Sequence, residues 1–107
     1  MQEETERSGV DPSHKSLGLG FQELTPELAR ELGVKKAGGV VVTQVESGSL
    51  AAEAGLQSGD VIREVDRKPV KNSADFVQKI EKAKSQGRVL LLIERGGNHL
   101  FVPVTVK

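Results

Sequence analysis

Short apolar runs separated by glycine-containing turns dominate the hydrophobic pattern of this chain. Val40–Val45 (VVVTQV) and Val61–Val65 (VIREV) are rich in β-branched residues, which favour strands. Val89–Ile93 (VLLLI) is apolar at every position, so it predicts a strand that is buried on both faces. A further strand is expected to pass through Phe21 and to end near Leu24.

The last part of the chain has the pattern of a β-hairpin. Two adjacent glycines in Arg95–Asn98 (RGGN) supply the positive φ angles that a two-residue turn requires. The segment after the turn alternates between two faces. Phe101 and Thr105 lie on one of them, opposite Leu100, Val102, Val104 and Val106. Pro103 cannot donate a hydrogen bond to a neighbouring strand, which predicts an edge strand or a bulge at this position.

Helix-capping residues mark two short helices. Thr25-Pro26 is typical of an N-cap followed by proline in the first turn, and Gly33 is the expected stop. A second short helix is predicted over 50–54 and ends at Gly55.

The longest predicted helix begins after a cap at Asn72 or Ser73 and stops by Gly87. Its apolar stripe is wide enough to divide between a core and a second surface. The stripe consists of Phe76, Val77, Ile80 and Ala83.

These elements predict a β-rich α+β fold with five to six strands, one longer helix and one or two short helices. Residues 1–15 are polar and charged and offer almost no apolar side chain to a core, so we expect a flexible linker or added leader there. The folded domain is predicted to span residues 16–107, a length that supports one modest core.

Composition excludes several classes of function. The 15 Lys and Arg balance the 15 Asp and Glu, and the chain has three Phe but no Trp or Tyr. Neither a basic field nor a base-stacking platform is therefore expected, and we predict no nucleic-acid partner. The absence of cysteine rules out disulfides and thiolate metal sites. No apolar run reaches the roughly 18 residues of a membrane helix, so no membrane insertion is expected. We predict no cofactor and no metal.

The glycine-rich stretch Ser16–Phe21 (SLGLGF) is the first candidate for binding chemistry. Glycine lets successive N–H groups converge on an anion such as a phosphate or a carboxylate. A dinucleotide motif beginning at Gly18 and Gly20 would need a third glycine where Glu23 stands, and the chain has no Gly-Lys-Ser/Thr sequence. Phosphate binding is therefore disfavoured, and a carboxylate is the expected anion.

The sequence shows no set of residues suited to hydrolytic catalysis, which needs a nucleophile and a neighbouring base. The two histidines are His14, in the predicted leader, and His99, which we interpret as a solvated residue beside the hairpin turn. No serine stands in a Gly-x-Ser-x-Gly sequence, and Asp60 fits a turn in which its side chain accepts backbone hydrogen bonds. We predict no catalytic residue in the chain.

Recognition of an extended peptide fits the remaining features. An exposed strand can pair with a peptide main chain, while backbone N–H groups at the entrance of the strand hold a terminal carboxylate. The long helix could form the opposing wall of such a groove. The residues alone leave two interpretations open, a groove lining or an ordinary core, for Leu17, Leu19, Phe21, Phe76 and Ile80.

Motifs spread over nearly the whole chain after residue 15 resemble a PDZ domain of the bacterial HtrA/Do serine-protease type. Leu17-Gly18-Leu19, 24–29 (LTPELA) and 39–42 (GVVV) contribute to the resemblance. The segment 48–62 resembles the family signature G-S-P-A-x-x-A-G-L-x-x-G-D-V-I, with Leu50 where proline is usual. The closing region 89–102 is most similar to the C-terminal, second PDZ module of periplasmic Do-type proteases.

The resemblance implies a PDZ-like, partly open barrel or sandwich with a peptide groove between the first strand and the long helix. The carboxylate-binding loop would be Ser16-Leu17-Gly18-Leu19, with the N–H groups of the last three facing the carboxylate. Ser16 stands where a bulkier residue is usual. The animal form of the motif would fit two residues later, but the spacing to Thr25-Pro26 favours the earlier register. The implied groove residues are Gly20, Phe21, Phe76, Val77 and Ile80.

The resemblance also implies a biological setting. The parent would be a periplasmic serine endopeptidase that forms homo-oligomers and acts in protein quality control. This domain would bind C-terminal or unfolded polypeptide segments without being an enzyme itself. Alternatives are an assembly module that contacts other domains or subunits of the parent, or a PDZ domain of a C-terminal-processing protease or an intramembrane metalloprotease.

Overall fold

Antiparallel strand pairing organises the structure, a computed structural model that describes residues 17–34 and 37–106. The strands pair in the order β1-β2-β3-β5-β6, with β4 attached to β3, and the six-stranded sheet is not closed. This architecture confirms the predicted β-rich α+β class. The strands are β1 (Leu19–Glu23), β2 (Val40–Val45), β3 (Val61–Val65), β4 (Lys68–Pro69), β5 (Arg88–Arg95) and β6 (Asn98–Thr105). The helices are α1 (Pro26–Leu32), α2 (Leu50–Ala54) and α3 (Ser73–Ala83), and a 3-10 turn, Lys84–Gln86, follows α3.

Local capping fixes the two short helices where the sequence predicts them. The Thr25 hydroxyl accepts the Leu28 N–H at 3.2 Å at the start of α1. The Ser49 hydroxyl does the same for the Ala52 N–H at 3.1 Å at the start of α2. Each bond satisfies an N–H group that has no partner within its helix, so the boundary can be read from a few residues of sequence.

Helix α3 begins as predicted at the Asn72 cap, whose side chain accepts the Asp75 N–H at 2.8 Å. The Asp75 carboxylate bonds to the Lys79 ammonium at 2.7 Å and to the Lys71 N–H at 2.9 Å. These bonds, the one from Lys79 above all, lower the pKa of Asp75 below its ordinary value of 3.8. The start of the helix is thus tied to the segment before it.

Two helices cover opposite faces of the sheet. The main hydrophobic core lies under α3, where Phe76 and Ile80 are fully buried with Leu91 and Ile93 of β5. A smaller cluster under α1 contains Ala29, Val41 and Val61, which lie on the other face. Because successive strand residues point to opposite faces, β2 and β3 contribute buried residues to both sides of the sheet.

The expectation that β5 is buried on both faces is wrong for one of them. Val89, Leu91 and Ile93 are buried, whereas Leu90 and Leu92 are half-buried. Those two leucines share the face that α1 covers, but the strand residues of the α1 cluster come from β2 and β3, and the cluster does not extend to β5. An uninterrupted run of apolar residues such as 89–93 therefore does not show whether each face of the strand is fully covered or partly open to solvent.

The turn between β3 and β4 is tight. Asp66 and Arg67 alone form it, with positive φ angles of 52° and 69°, and Lys68–Pro69 already pairs with β3. Asp66 supplies the cause, because its N–H donates to the Leu90 carbonyl at 2.7 Å and its carboxylate accepts the Leu90 N–H at 2.9 Å. Two bonds to β5 hold the left-handed backbone, which aspartate tolerates better than most residues.

Pro103 confirms the predicted edge strand, since β6 is the last strand of the sheet in the described part of the chain. Its partner on β5 is Leu90, which gives its N–H and carbonyl to Asp66 rather than to β6. Leu90 and Pro103 are therefore a non-hydrogen-bonded pair, and the missing N–H of proline falls on the outer edge of β6.

Candidate functional site

Strand β1 and helix α3 lie side by side and run in opposite directions. The rings of Phe21 and Phe76 meet edge to face, with centroids 4.9 Å apart and an interplanar angle of 77°. Two residues further along β1, a Glu23 carboxylate oxygen accepts the Ser73 N–H at 3.4 Å at the start of the helix. The direction of β1 thus carries its opening residues toward the C-terminal end of α3.

The outer edge of β1 presents main-chain hydrogen-bonding groups. The Gly18 carbonyl accepts the Glu46 N–H at 2.8 Å, on the side of β2. Because a trans peptide is planar, the N–H of Leu19 points the opposite way, to the edge beyond β1. Leu19 faces Val45 as a non-hydrogen-bonded pair, so its carbonyl points outward as well. In the described part of the chain, β1 is an end strand of the sheet, and this edge can accept another strand.

Gly18 has the left-handed backbone, with φ of 77°, at the entrance of β1. A Cβ atom added to Gly18 would lie only 2.2 Å from the Cβ of Ser49, the N-cap residue of α2. Both the backbone conformation and the close approach therefore require glycine. The loop that contains Gly18 is therefore positioned by its contact with Ser49, in the turn that begins α2.

The structure places the predicted carboxylate loop and groove residues as follows. Leu17, Gly18 and Leu19 lie at the entrance of β1, and Ser16 lies outside the described residues. Gly20 is buried in the strand, and a Cβ atom there would approach the Thr43 hydroxyl at 2.9 Å. The side chain of Thr43 on β2 thus occupies the space beside Gly20. This contact lies where the β1–β2 register shifts, between Gly20 and Phe21.

The apolar side chains of the predicted site form one cluster with the main core. The members with at most 5 % exposure are Leu17, Leu19, Phe21, Phe76 and Ile80. Val77 is half-buried and packs against the same cluster. The five buried side chains hold β1 against α3, and Val77 is the member of the set with appreciable solvent exposure.

The polar residues considered for catalysis have structural partners. Asp60 is 1 % exposed and accepts the Gln57 N–H at 2.9 Å, as predicted for a turn. It also binds Arg95 through both carboxylate oxygens, each at 2.8 Å, a pair that the sequence analysis missed. The hydrogen bond from Arg95 to Asp60 raises the pKa of the guanidinium. The two residues stand 35 positions apart, and no local pattern signals their contact.

His99 is exposed beside the hairpin turn, as predicted. Its Nε2 lies 3.8 Å from a Glu94 carboxylate oxygen, which also accepts hydrogen bonds from Arg63 at 2.9 and 3.1 Å. Arg63 in turn donates to the Gly38 carbonyl at 2.9 Å. The arrangement joins β3, β5 and the loop before β2, so it is explained by stability.

Residues 17–34 and 37–106 contain no group of three or more His, Cys, Asp or Glu side chains that could hold a metal ion. None of the helices in those ranges is long and apolar enough to cross a membrane.

Comparison with known proteins places this geometry in a family. The family model described as "PDZ domain" matches residues 15–106. A probable periplasmic serine endoprotease, DegP-like, of Pseudomonas fluorescens is 33 % identical over 100 residues, which cover 94 % of this chain and 21 % of that protein. The protein of the same description from Pseudomonas fulva is 38 % identical over 90 residues, covering 84 % of this chain and 19 % of the relative. The chain thus spans about one fifth of the length of these relatives.

Solved structures give the same result. The HtrA-type protease AlgW with a decapeptide has a TM-score of 0.73 and 29 % identity, over 84 % of this chain and 28 % of that one. The HtrA3 PDZ domain bound to a phage-derived ligand (FGRWV) has a TM-score of 0.69 over 83 % of this chain and 81 % of that one. At 24 % identity, the second likeness supports the fold alone. With the family match across residues 15–106, the chain belongs to the PDZ domain family, and its relatives are HtrA- and DegP-type serine proteases.

Proposed function

We propose that this PDZ domain is the non-catalytic peptide-recognition module of an HtrA/DegP-type serine endopeptidase. It binds C-terminal or extended apolar segments of polypeptides, which add to β1 as a further antiparallel strand. The observation that carries the proposal is the outward N–H and carbonyl of Leu19 at the edge of β1, beside α3. In the parent protein, this binding selects misfolded substrates in the periplasm.

The relatives supply independent support. The curated relatives are named periplasmic serine endoproteases, and the AlgW structure, at 29 % identity, holds a decapeptide. The peptide-binding role comes to this chain as a proposal, together with the residues that would perform it. Ser16, Leu17, Gly18 and Leu19 form the carboxylate loop, and the groove is bordered by Gly20, Phe21, Phe76, Val77 and Ile80.

Strand addition is compatible with the burial of the apolar residues. Leu19 and Phe21 turn their side chains into the core while the main chain of β1 stays at the edge. Main-chain hydrogen bonds then supply affinity for many sequences, and Val77 on α3 meets the ligand side chains. Such binding tolerates sequence variation, as recognition of unfolded segments requires.

Calorimetric titration of the 107-residue chain with an apolar-tailed peptide tests the proposal. The same peptide with an amidated C-terminus is the matched control. A hydrogen bond to a charged group contributes about 1.5–3 kcal/mol, so the free carboxylate should bind at least about tenfold more tightly. Equal affinity for the two forms would exclude carboxylate capture, and no binding of either form would exclude peptide recognition by the isolated domain.

A second candidate is an assembly module that contacts other domains or subunits of the parent. One observation favours it: Phe101, on the outer face of the β5–β6 hairpin, is 58 % exposed. Aromatic residues are enriched in the buried centres of protein–protein interfaces. Sedimentation of the parent protein with Phe101→Ser distinguishes the candidates, because an assembly role requires the variant to change the oligomer while peptide binding by the domain stays intact.

A further inference from the structure

One helical stripe of α3 faces β1 and continues beyond the apolar residues. At about 100° per residue, four positions fall within about 60° of each other around the helix. They are Ser73, Val77, Ile80 and Lys84. The main-chain N–H of Ser73 donates to a Glu23 carboxylate oxygen of β1, and Ile80 is fully buried in the core that includes Leu19. The last member, Lys84, has helical φ and ψ angles of −57° and −35°, so it continues the stripe.

The strand and helix rises place Lys84 along the groove. From Ser73 to Lys84 the helix advances about 16 Å. The same distance along β1, starting from Glu23 opposite Ser73, takes about five residues, at about 3.3 Å each, and ends at Gly18. The contact of Phe21 with Phe76 fits this pairing, since it lies two strand residues and three helix residues from the Glu23–Ser73 contact. Lys84 is thus level with the loop that Gly18 belongs to.

We propose that Lys84 supplies the positive charge that attracts and orients the terminal carboxylate of a bound peptide. This inference rests on the proposed function, and it adds a charged side chain to the backbone N–H groups of the loop. The ligand class it specifies is a peptide with a free, ionised C-terminus. Lys84 is not among the site residues predicted from the sequence, because one lysine among several on a helix gives no local signal.

The present partner of Lys84 allows this role. Its ammonium lies 3.0 Å from a Glu81 carboxylate oxygen, and the two side chains are 29 % and 41 % exposed. Ion pairs with this exposure contribute little to stability, so Lys84 can turn from Glu81 to a ligand at small cost. An ammonium group has three donors and can keep one on Glu81 while another binds the ligand.

Lys82 is the matched control on the same helix. It lies nine residues after Ser73, which is about 180° around the helix, and it is exposed. Both lysines stand at the C-terminal end of α3, where a positive charge compensates the helix dipole to a similar degree. Substituting either one therefore has a similar effect on the helix dipole and the same effect on net charge. Only Lys84 is on the stripe that faces β1, and its ion pair with Glu81 is exposed enough to contribute little to stability.

The test compares Lys84→Gln and Lys82→Gln by calorimetric titration with free and amidated forms of one apolar-tailed peptide. We expect Lys84→Gln to weaken binding of the free form by about fivefold at low salt and to leave the amidated form unchanged. Raising the ionic strength should shrink the effect, since salt screens a partly exposed pair. Lys82→Gln should match the unsubstituted chain, and Lys84→Arg should retain most of the affinity.

The outcomes separate this inference from the proposed function. If the unsubstituted chain prefers the free peptide and Lys84→Gln binds it as Lys82→Gln does, the role of Lys84 is overturned while carboxylate capture stands. If Lys84→Gln weakens both peptide forms equally, the loss is structural and the inference is again overturned. If the unsubstituted chain binds the two forms equally, the proposed carboxylate capture and the role of Lys84 both fail.

Discussion

The two end strands of the described sheet differ in whether their outer edge offers main-chain groups for pairing with another strand. Strand β1 leaves the main-chain groups of Leu19 pointing outward and buries its large side chains under α3. Strand β6 has Pro103 at an outward position, which removes an N–H donor from its edge, and exposes the ring of Phe101 on its face. An open edge invites pairing with other chains. One edge is thus suited to receive a strand, and the other is protected against it.

The largest expected difference between the two regions concerns their phenylalanines. Phe76 is fully buried between α3 and β1, whereas Phe101 is 58 % exposed. We expect Phe76→Ala to lower the free energy of unfolding by about 3–5 kcal/mol, through lost burial and the cavity that remains. Phe101→Ala, the matched control, should lower it by less than about 1 kcal/mol. Urea denaturation measures both values, and a similar loss for the two variants would contradict the assignment of core and surface.

Glycine provides the second prediction, at the entrance of β1. Gly18 and Gly48 have nearly the same φ, 77° and 74°, but a Cβ atom added at Gly48 would have no neighbour within 4 Å. Gly48→Ala should therefore lower the free energy of unfolding only by the strain of placing alanine in the left-handed region, about 1–2 kcal/mol. Gly18→Ala must also displace Ser49, so we expect about 1 kcal/mol more and a weakened affinity for the free peptide.

Thermal or urea unfolding of the two glycine variants, with peptide titration on each, measures these effects. Equal destabilisation would show that the loop can move away from α2 without cost. In that case the position of the proposed carboxylate loop would not depend on the Gly18–Ser49 contact.

Local chemistry made much of this comparison predictable. The helix caps at Thr25 and Asn72 and the turn at Gly96-Gly97 depend on neighbouring residues, so their boundaries follow from short sequence patterns. The edge position of β6 followed from Pro103 for the same reason. These features need no knowledge of the tertiary structure.

Contacts between distant segments were not predictable in this way. The bonds of Arg63 to Glu94 span 31 residues, and Asp66 meets Leu90 across 24. Neither pair shows a sequence pattern that marks it. The apolar site residues were ambiguous for a related reason, because a residue such as Leu19 can bury its side chain while its backbone remains at an edge. The polarity of a side chain indicates whether that side chain is buried, but it does not indicate whether the backbone of the residue lies at the edge of a sheet.

Pro103 gives a prediction about association with little effect on stability. Pro103→Val restores an N–H on the outer edge of β6 and favours strand geometry, while the ladder with β5 is unchanged at this non-hydrogen-bonded position. The free energy of unfolding should change by no more than about 1 kcal/mol, and sedimentation should show a new concentration-dependent dimer. Pro69→Val in β4 is the control. If the two variants sediment alike, the proline does not protect the edge.

The smallest expected effect concerns the start of α3, where Ser73 meets β1. The pKa of Asp75 is lowered by the hydrogen bond from Lys79 and by that from the Lys71 N–H. A carboxyl group whose pKa is lower in the folded state adds stability above its unfolded pKa, about 3.9, and loses it as the pH falls through the folded value. Asp75→Asn should therefore cost roughly 0.5 kcal/mol at pH 7, a modest value because the ion pair is partly exposed.

Urea denaturation from pH 7 to pH 2 checks this prediction. The difference between Asp75→Asn and the unsubstituted chain should shrink as the pH falls below 4, where the carboxyl group of the unfolded chain takes up its proton. Glu81→Gln is the control, since the Glu81–Lys84 pair is more exposed and should contribute less at every pH. A difference for Asp75→Asn that persists undiminished at pH 2 would mean that the carboxylate acts through hydrogen-bond geometry and not through its charge. The contribution of Asp75 to the start of α3 would then be insensitive to acid.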